Sequence, residues 1–142
     1  HVQRTAHAGL IPAVNMDTGY VNLIDEPLQD EVLSRTARIL GRTPFIAGAF
    51  IADQPGSSFA LDRYARRFER IQRHGGLPIV FQSYGLTRQP GPEIVASYAA
   101  LGRYADQFLG FELTTDLAPF GAVYELETFT AMIYAPRCVG MK

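Results

Sequence analysis

Among the 142 residues, the group best suited to covalent chemistry is the last one, Lys142, delivered by the short apolar run Cys138-Val139-Gly140-Met141. An amine that gives up its proton can attack a ketone or aldehyde carbon and form a Schiff base. Groups able to assist stand just beyond other apolar runs. They are Asn15, Asp17, Thr18 and Tyr20; Asp53; Gln82, Ser83, Tyr84 and Thr87; and Glu112 with Thr114, Thr115 and Asp116. Carboxylates and phenols carry protons, while hydroxyls and exposed amides hold polar parts of a substrate. Each has a plainer reading. A terminal lysine is ordinarily a solvated charge, Asp17-Thr18-Gly19 also suits an Asx-type turn, and Tyr84 also suits packing at a rim. Glu112 is harder to set aside, because a carboxylate closing an apolar strand must find a partner.

The elements that would position these groups repeat. Residues 1–8 run into Gly9 as the end of a helix closed by a left-handed glycine. Leu10–Val14 is a short buried strand, followed by a loop from Asn15 to Ile24. Asp25 caps a helix beginning near Pro27, with Leu28, Val32, Leu33, Thr36, Ile39 and Leu40 on one stripe and Gly41 at its end. Phe45–Phe50 is the next strand, and a helix with Leu61, Tyr64, Ala65, Phe68 and Ile71 inward and its Arg and Glu residues in water runs to Gly75-Gly76. Pro78–Gln82 is a third strand, Ser83–Pro90 a loop, and Ile94 to Tyr104 a helix. Phe108–Phe111 is the fourth strand and delivers Glu112. Phe120–Tyr134 is expected as a helix, broken by Pro136 before Cys138–Met141.

Strand starts separated by roughly thirty to thirty-five residues, with one helix in each gap, mark βα units with right-handed crossovers and hence a parallel sheet. No G-x-G-x-x-G follows the first strand and no phosphate-binding loop appears, so a nucleotide-binding doubly wound sheet lacks its signature. A barrel is preferred. Five units fall short of the ~250 residues of a complete eightfold barrel, and the chain opens on His1. Residues 1–142 are therefore expected to be a single partial barrel domain within a longer protein. In a parallel barrel all the strand-end loops converge on one mouth, where burial disfavours the charged form of a lysine.

The order of these elements, the loop Asp17-Thr18-Gly19, the strand and loop Phe81–Thr87 with Tyr84, and the closing Val139-Gly140-Met141-Lys142 resemble the dihydrodipicolinate synthase/N-acetylneuraminate lyase family. The resemblance implies an α/β parallel (β/α)8 TIM barrel, of which this chain supplies strands two to six, with Lys142 as the Schiff-base lysine. It implies a lyase of the class I aldolase type acting on a 2-oxo acid or related carbonyl compound, with no cofactor beyond the covalent Schiff base on Lys142. The family's carboxylate-binding G-T-T-G-E is matched by Met16-Asp17-Thr18-Gly19-Tyr20, so Asp17, Thr18 and Gly19 become substrate-binding candidates, with Asp17 in place of a threonine. An anion there repels a substrate carboxylate unless it is protonated or turned away. Glu112 stands where the family's proton-shuttling tyrosine is expected, and of a paired tyrosine motif only Tyr84 remains, next to Gly85. Glu112 and Tyr84 are thus catalytic candidates beside Lys142, in a divergent family member that is expected to be a homo-oligomer at full length.

Composition bounds the partners. With 13 basic and 14 acidic residues the formal net charge is −1, which offers no electrostatic footprint for nucleic acid or an anionic membrane. A small-molecule carbonyl substrate is the expected partner. The single cysteine, Cys138, supports neither a disulfide framework nor a thiolate metal site, and makes a cytoplasmic location the default; it reads as a small core residue. No apolar run spans a bilayer. His1, His7 and His74 lack metal-ligand spacing and read as surface or fold residues. Two other functions fit the same barrel: a metal-assisted aldolase or hydrolase using Asp17, Glu112 and Asp116 as oxygen ligands, and a small-molecule-binding barrel without catalysis.

Overall fold

A computed structural model describes all residues from His1 to Lys142. Helix α1 (Val2–His7) precedes strand β1 (Ala13–Val14), and α2 (Glu26–Leu40) leads to β2 (Phe45–Ala49). Then α3 (Leu61–Arg73), β3 (Gly76–Val80), the single turn α4 (Tyr84–Thr87), α5 (Gly91–Leu101), β4 (Phe108–Gly110), α6 (Leu126–Ile133) and β5 (Cys138–Met141) complete the chain. All neighbouring strands pair in parallel, and their order in the sheet is the order in the sequence. A doubly wound sheet reverses strand order at a switch point; an unbroken sequential order is that of consecutive units in a (β/α)8 barrel.

Side chains alternate between the two faces of each strand, and the apolar ones divide accordingly. Toward the helices lies a large cluster that includes Phe45, Tyr64, Phe68, Val80, Tyr98 and Phe108. On the concave face a smaller one gathers Met16, Val21, Phe50, Ile79, Phe81, Phe111, Leu113 and Ala118. Gly48 in β2 leaves room for the segment after β1 and for the Phe81 ring: a Cβ there would collide with the Asn15 carbonyl oxygen and press on that ring.

Several local expectations hold. Asp25 Oδ1 accepts from the Leu28 amide at 2.9 Å, which satisfies one of the donors a helix start leaves free. Gly9 and Gly75 close α1 and α3 with φ of 76° and 77°, a conformation that favours glycine. His1 and His7 are exposed and His74 is half-buried. Cys138 is half-buried, its thiol 3.4 Å from the Gly140 carbonyl.

Other boundaries differ, for identifiable reasons. The first strand is Ala13–Val14 alone, and Leu10 and Ile11 are exposed. Gly76 belongs to β3, paired with Phe45, rather than to the helix end, and a side chain there would strike the Phe45 ring and Ile71. The inner stripe of α2 is Gln29, Leu33 and Thr36, with Leu28 and Ile39 exposed. Gln29 is drawn inward by backbone groups that need partners: its Nε2 donates to the Val21 and Ile24 carbonyls, and its own carbonyl accepts from Asn15 Nδ2. Not every arginine of α3 faces water. Arg67 is nearly covered and, with Arg70, pairs with Glu26 at 2.7 and 2.9 Å. The Arg70 hydrogen bond and the Arg67 charge hold the Glu26 carboxyl below its ordinary range. Finally, the helix expected over 120–134 begins only at Leu126. The side chain of Gln82 takes both backbone groups of Ala122, donating to its carbonyl at 2.7 Å and accepting from its amide at 3.1 Å, and this removes Ala122 from any helical ladder. No helix is long and apolar enough to cross a membrane.

Candidate active site

Lys142 follows β5 at the C-terminal edge of the sheet. Its amide donates to the Gly110 carbonyl at 3.1 Å, and its carbonyl accepts from the Glu112 amide at 2.9 Å. These two bonds fix the backbone of both residues, and the faces of the strand then decide where each side chain goes. Phe108 packs toward the helices and Leu109 against the concave cluster. Gly110 abuts Met141 and Tyr98, and Phe111 is concave again. Glu112, next in the alternation, turns to the helix side, where its Oε1 accepts from the Tyr124 amide at 2.6 Å. The carboxylate expected beside Lys142 therefore has its partner on the other face of the sheet. The residue that meets the lysine is Phe111, whose ring centroid lies 4.2 Å from Nζ, a cation–π distance. Sequence reasoning passed over Phe111, although the two-residue period from Leu109 puts it on the concave face.

On β5 the alternation is broken. Phe108 pairs with Cys138 and Gly110 with Met141, so β5 carries one residue more than β4 over the same span. Such a bulge switches the face of everything beyond it. Cys138 and Met141 both pack against the helix-side cluster, and Lys142 consequently reaches the concave side.

The carboxylate near Lys142 is Asp17, with Oδ1 3.9 Å from Nζ. Asp17 opens a 3-10 turn, Asp17–Gly19, that follows the buried Met16. Thr18 and Gly19 lie exposed on that turn, and Tyr20 after it is held at φ 54°. Asp17 Oδ1 is shielded from solvent and accepts no hydrogen bond. The lysine side chain is 56% exposed; the ring beneath it and the carboxylate beside it define its surroundings within this chain. It is also the sole lysine of the chain, the other basic residues being arginines.

Asp17 also borders a cavity of about 290 Å³, with Tyr20, Phe50, Phe81, Leu113 and Phe120 among its walls. Three groups hold those walls. Gln82, fully buried, accepts from the Leu113 amide at 2.9 Å as well as binding Ala122, and this pins both ends of the segment that carries Leu117 to Phe120. Thr87 Oγ1 donates to the Phe120 carbonyl at 2.8 Å. Asp53 accepts from the Tyr84 and Gly85 amides at 3.0 and 2.8 Å and so caps α4. The Tyr84 ring stands edge-on to Phe120, centroids 6.0 Å apart, and stays at the rim. Gly85 fits because a Cβ would strike the Ser58 carbonyl.

The oxygen ligands considered for a metal do not converge. No three His, Cys, Asp or Glu residues are grouped so as to hold an ion, and Glu112 and Asp17 serve opposite faces of the sheet. Behind the site the buried phenols keep their protons. Burial pushes Tyr124 up to about 12 and Tyr98 well above its ordinary value, and raises Tyr64 too; the Tyr64 hydroxyl donates to the Phe81 carbonyl at 2.6 Å.

No protein-family model and no curated protein sequence matches the chain. Solved structures do. Dihydrodipicolinate synthase from Bacteroides thetaiotaomicron superposes with a TM-score of 0.77 at 17% identity, over 99% of this chain and 45% of that one. The enzyme of the same name from Agrobacterium tumefaciens gives 0.77 at 16% identity, over 99% and 45%. N-acetylneuraminate lyase from Mycoplasma synoviae gives 0.69 at 16%, over 99% and 46%. The chain thus spans somewhat less than half the length of these structures, and over that span it has the fold of the dihydrodipicolinate synthase and N-acetylneuraminate lyase barrels.

Proposed function

We propose that this chain is part of a divergent member of the dihydrodipicolinate synthase/N-acetylneuraminate lyase family and supplies its Schiff-base centre, with Lys142 as the nucleophile of a class I aldolase or lyase. The observation that carries this reading is the position of Lys142. The only lysine of the chain stands past the fifth parallel strand, its ammonium near the Phe111 ring and near Asp17, and Asp17 in turn borders a walled cavity. Strand C-termini are where barrels of this kind place their chemistry. The shared fold supports the reading through the activities named for those structures, as fold-level analogy. The carbonyl carbon of a substrate would bond to Nζ with loss of water, and no cofactor enters that step. Thr18 and the Gly19 amide, exposed on the turn that carries Asp17, are available to orient the substrate.

Borohydride reduction of the natural full-length protein, incubated with 2-oxo acids, ketones and aldehydes and analysed by peptide mass spectrometry, tests the assignment. A reduced adduct on Lys142 that disappears in a folded Lys142→Ala variant is expected. Turnover that survives in that variant would refute it.

A further inference from the structure

We infer that the carbonyl compound taken by Lys142 is uncharged around its reacting carbon, and that Asp17 both imposes this preference and carries the proton of Schiff-base formation. The inference rests on the Schiff-base reading and names its substrate class. Its first ground is the charge of the cavity. Asp17 is the only charged residue among the lining residues, and the remaining walls are mostly apolar and aromatic. A 2-oxo acid would bring its carboxylate beside Asp17 with Lys142 as the single cation between two anions. No arginine or lysine of this chain lines that space beside Asp17. Like charges at such range repel, the more so beside low-dielectric walls. An aldehyde, ketone or ester carbonyl meets no such penalty.

The second ground is that the two other catalytic candidates, Glu112 and Tyr84, are committed elsewhere. Glu112 Oε1 is bound to the Tyr124 amide, Tyr84 packs on Phe120, and Phe111, against the lysine, has no proton to give. Asp17 Oδ1 is buried, accepts no hydrogen bond and faces Nζ at 3.9 Å. The steps balance with this one group. The Asp17 carboxylate takes a proton from the Lys142 ammonium, and the free amine adds to the carbonyl carbon. Proton transfer from nitrogen to oxygen gives the neutral carbinolamine. Asp17 then returns its proton to the carbinolamine hydroxyl, which leaves as water while the nitrogen lone pair forms the C=N bond. The product is a cationic iminium beside an Asp17 carboxylate, so the site begins and ends with the same charge pair.

The test compares borohydride trapping of pyruvate and of methyl pyruvate, which share a ketone but differ in charge, on the full-length protein. Each rate is divided by that of the same compound with free Nα-acetyllysine amide to remove intrinsic reactivity. The normalised rate on Lys142 is expected to favour the ester by about tenfold or more. In Asp17→Asn, shown to be folded by circular dichroism, that preference should collapse toward unity and ester trapping should itself slow by about tenfold or more. Equal or faster normalised trapping of pyruvate in the unaltered protein overturns the inference and leaves the Schiff-base assignment standing. An unchanged preference and rate in Asp17→Asn overturns the role of Asp17. Absence of any adduct on Lys142 overturns both readings together.

Discussion

The convex and concave faces of the sheet are built differently. Toward the helices, Tyr64, Phe68, Tyr98 and Phe108 belong to one continuous cluster, with Phe68 and Tyr98 rings 5.6 and 6.2 Å from Phe108. The concave cluster is smaller. Its rings meet edge to face, Phe50 on Phe81 and Phe81 on Phe111, and the set ends at a cavity and a lysine. The convex layer closes around its polar groups, whereas the concave one leaves Asp17 and Lys142 in reach of a ligand. Two carboxylates near strand ends consequently have different work. Glu112 holds the backbone of the segment before α6, and Asp17 faces the amine.

That contrast can be strained from either side. Phe68→Ala removes a fully buried ring from the convex layer and is expected to cost about 3–5 kcal/mol in urea unfolding. Borohydride trapping on Lys142, measured on the folded fraction, should stay within about twofold of the unaltered protein; a larger loss would mean that the two faces are not independent. Gln82→Leu removes the side-chain partner of the Leu113 amide and of both backbone groups of Ala122. It should destabilise by about 2–4 kcal/mol and accelerate amide hydrogen exchange selectively at Leu113 and Ala122. A uniform change across the sheet would show that Gln82 supports the core generally rather than the cavity wall. Glu112→Gln keeps an acceptor for Tyr124 but loses its charge, which should cost on the order of 1 kcal/mol. Trapping should change less than twofold; a tenfold loss would put Glu112 back among the groups that act on the lysine.

Much of the scaffold was legible in the order of residues. Hydrophobic runs separated by helical stripes gave the parallel βα repeat, Asp25 marked a helix start, and Gly9 and Gly75 marked helix ends. These are local signals, set by backbone sterics and by capping of nearest groups. Two of the misplaced features involve polar bonds between a side chain and the backbone of another segment. Gln29 is buried because carbonyls of the preceding loop need donors. Ala122 is withheld from α6 because Gln82, far upstream, binds it. A hydrophobic pattern carries no record of either bond.

For the site the division is sharper. The sequence by itself determined that a lysine closes the fifth strand, that Asp17 occupies the first strand's loop, and that the chain carries no other lysine; the strand period also sufficed to send Phe111 and Glu112 to opposite faces. Only the tertiary structure decided which face Lys142 takes, because the extra residue in β5 appears only when that strand is laid against β4. Counting from Cys138 by twos sends Lys142 toward the helices. The bulge moves Met141 there instead and turns the amine to Phe111 and Asp17, since a ladder that absorbs one unpaired residue must reverse the facing of every side chain beyond it.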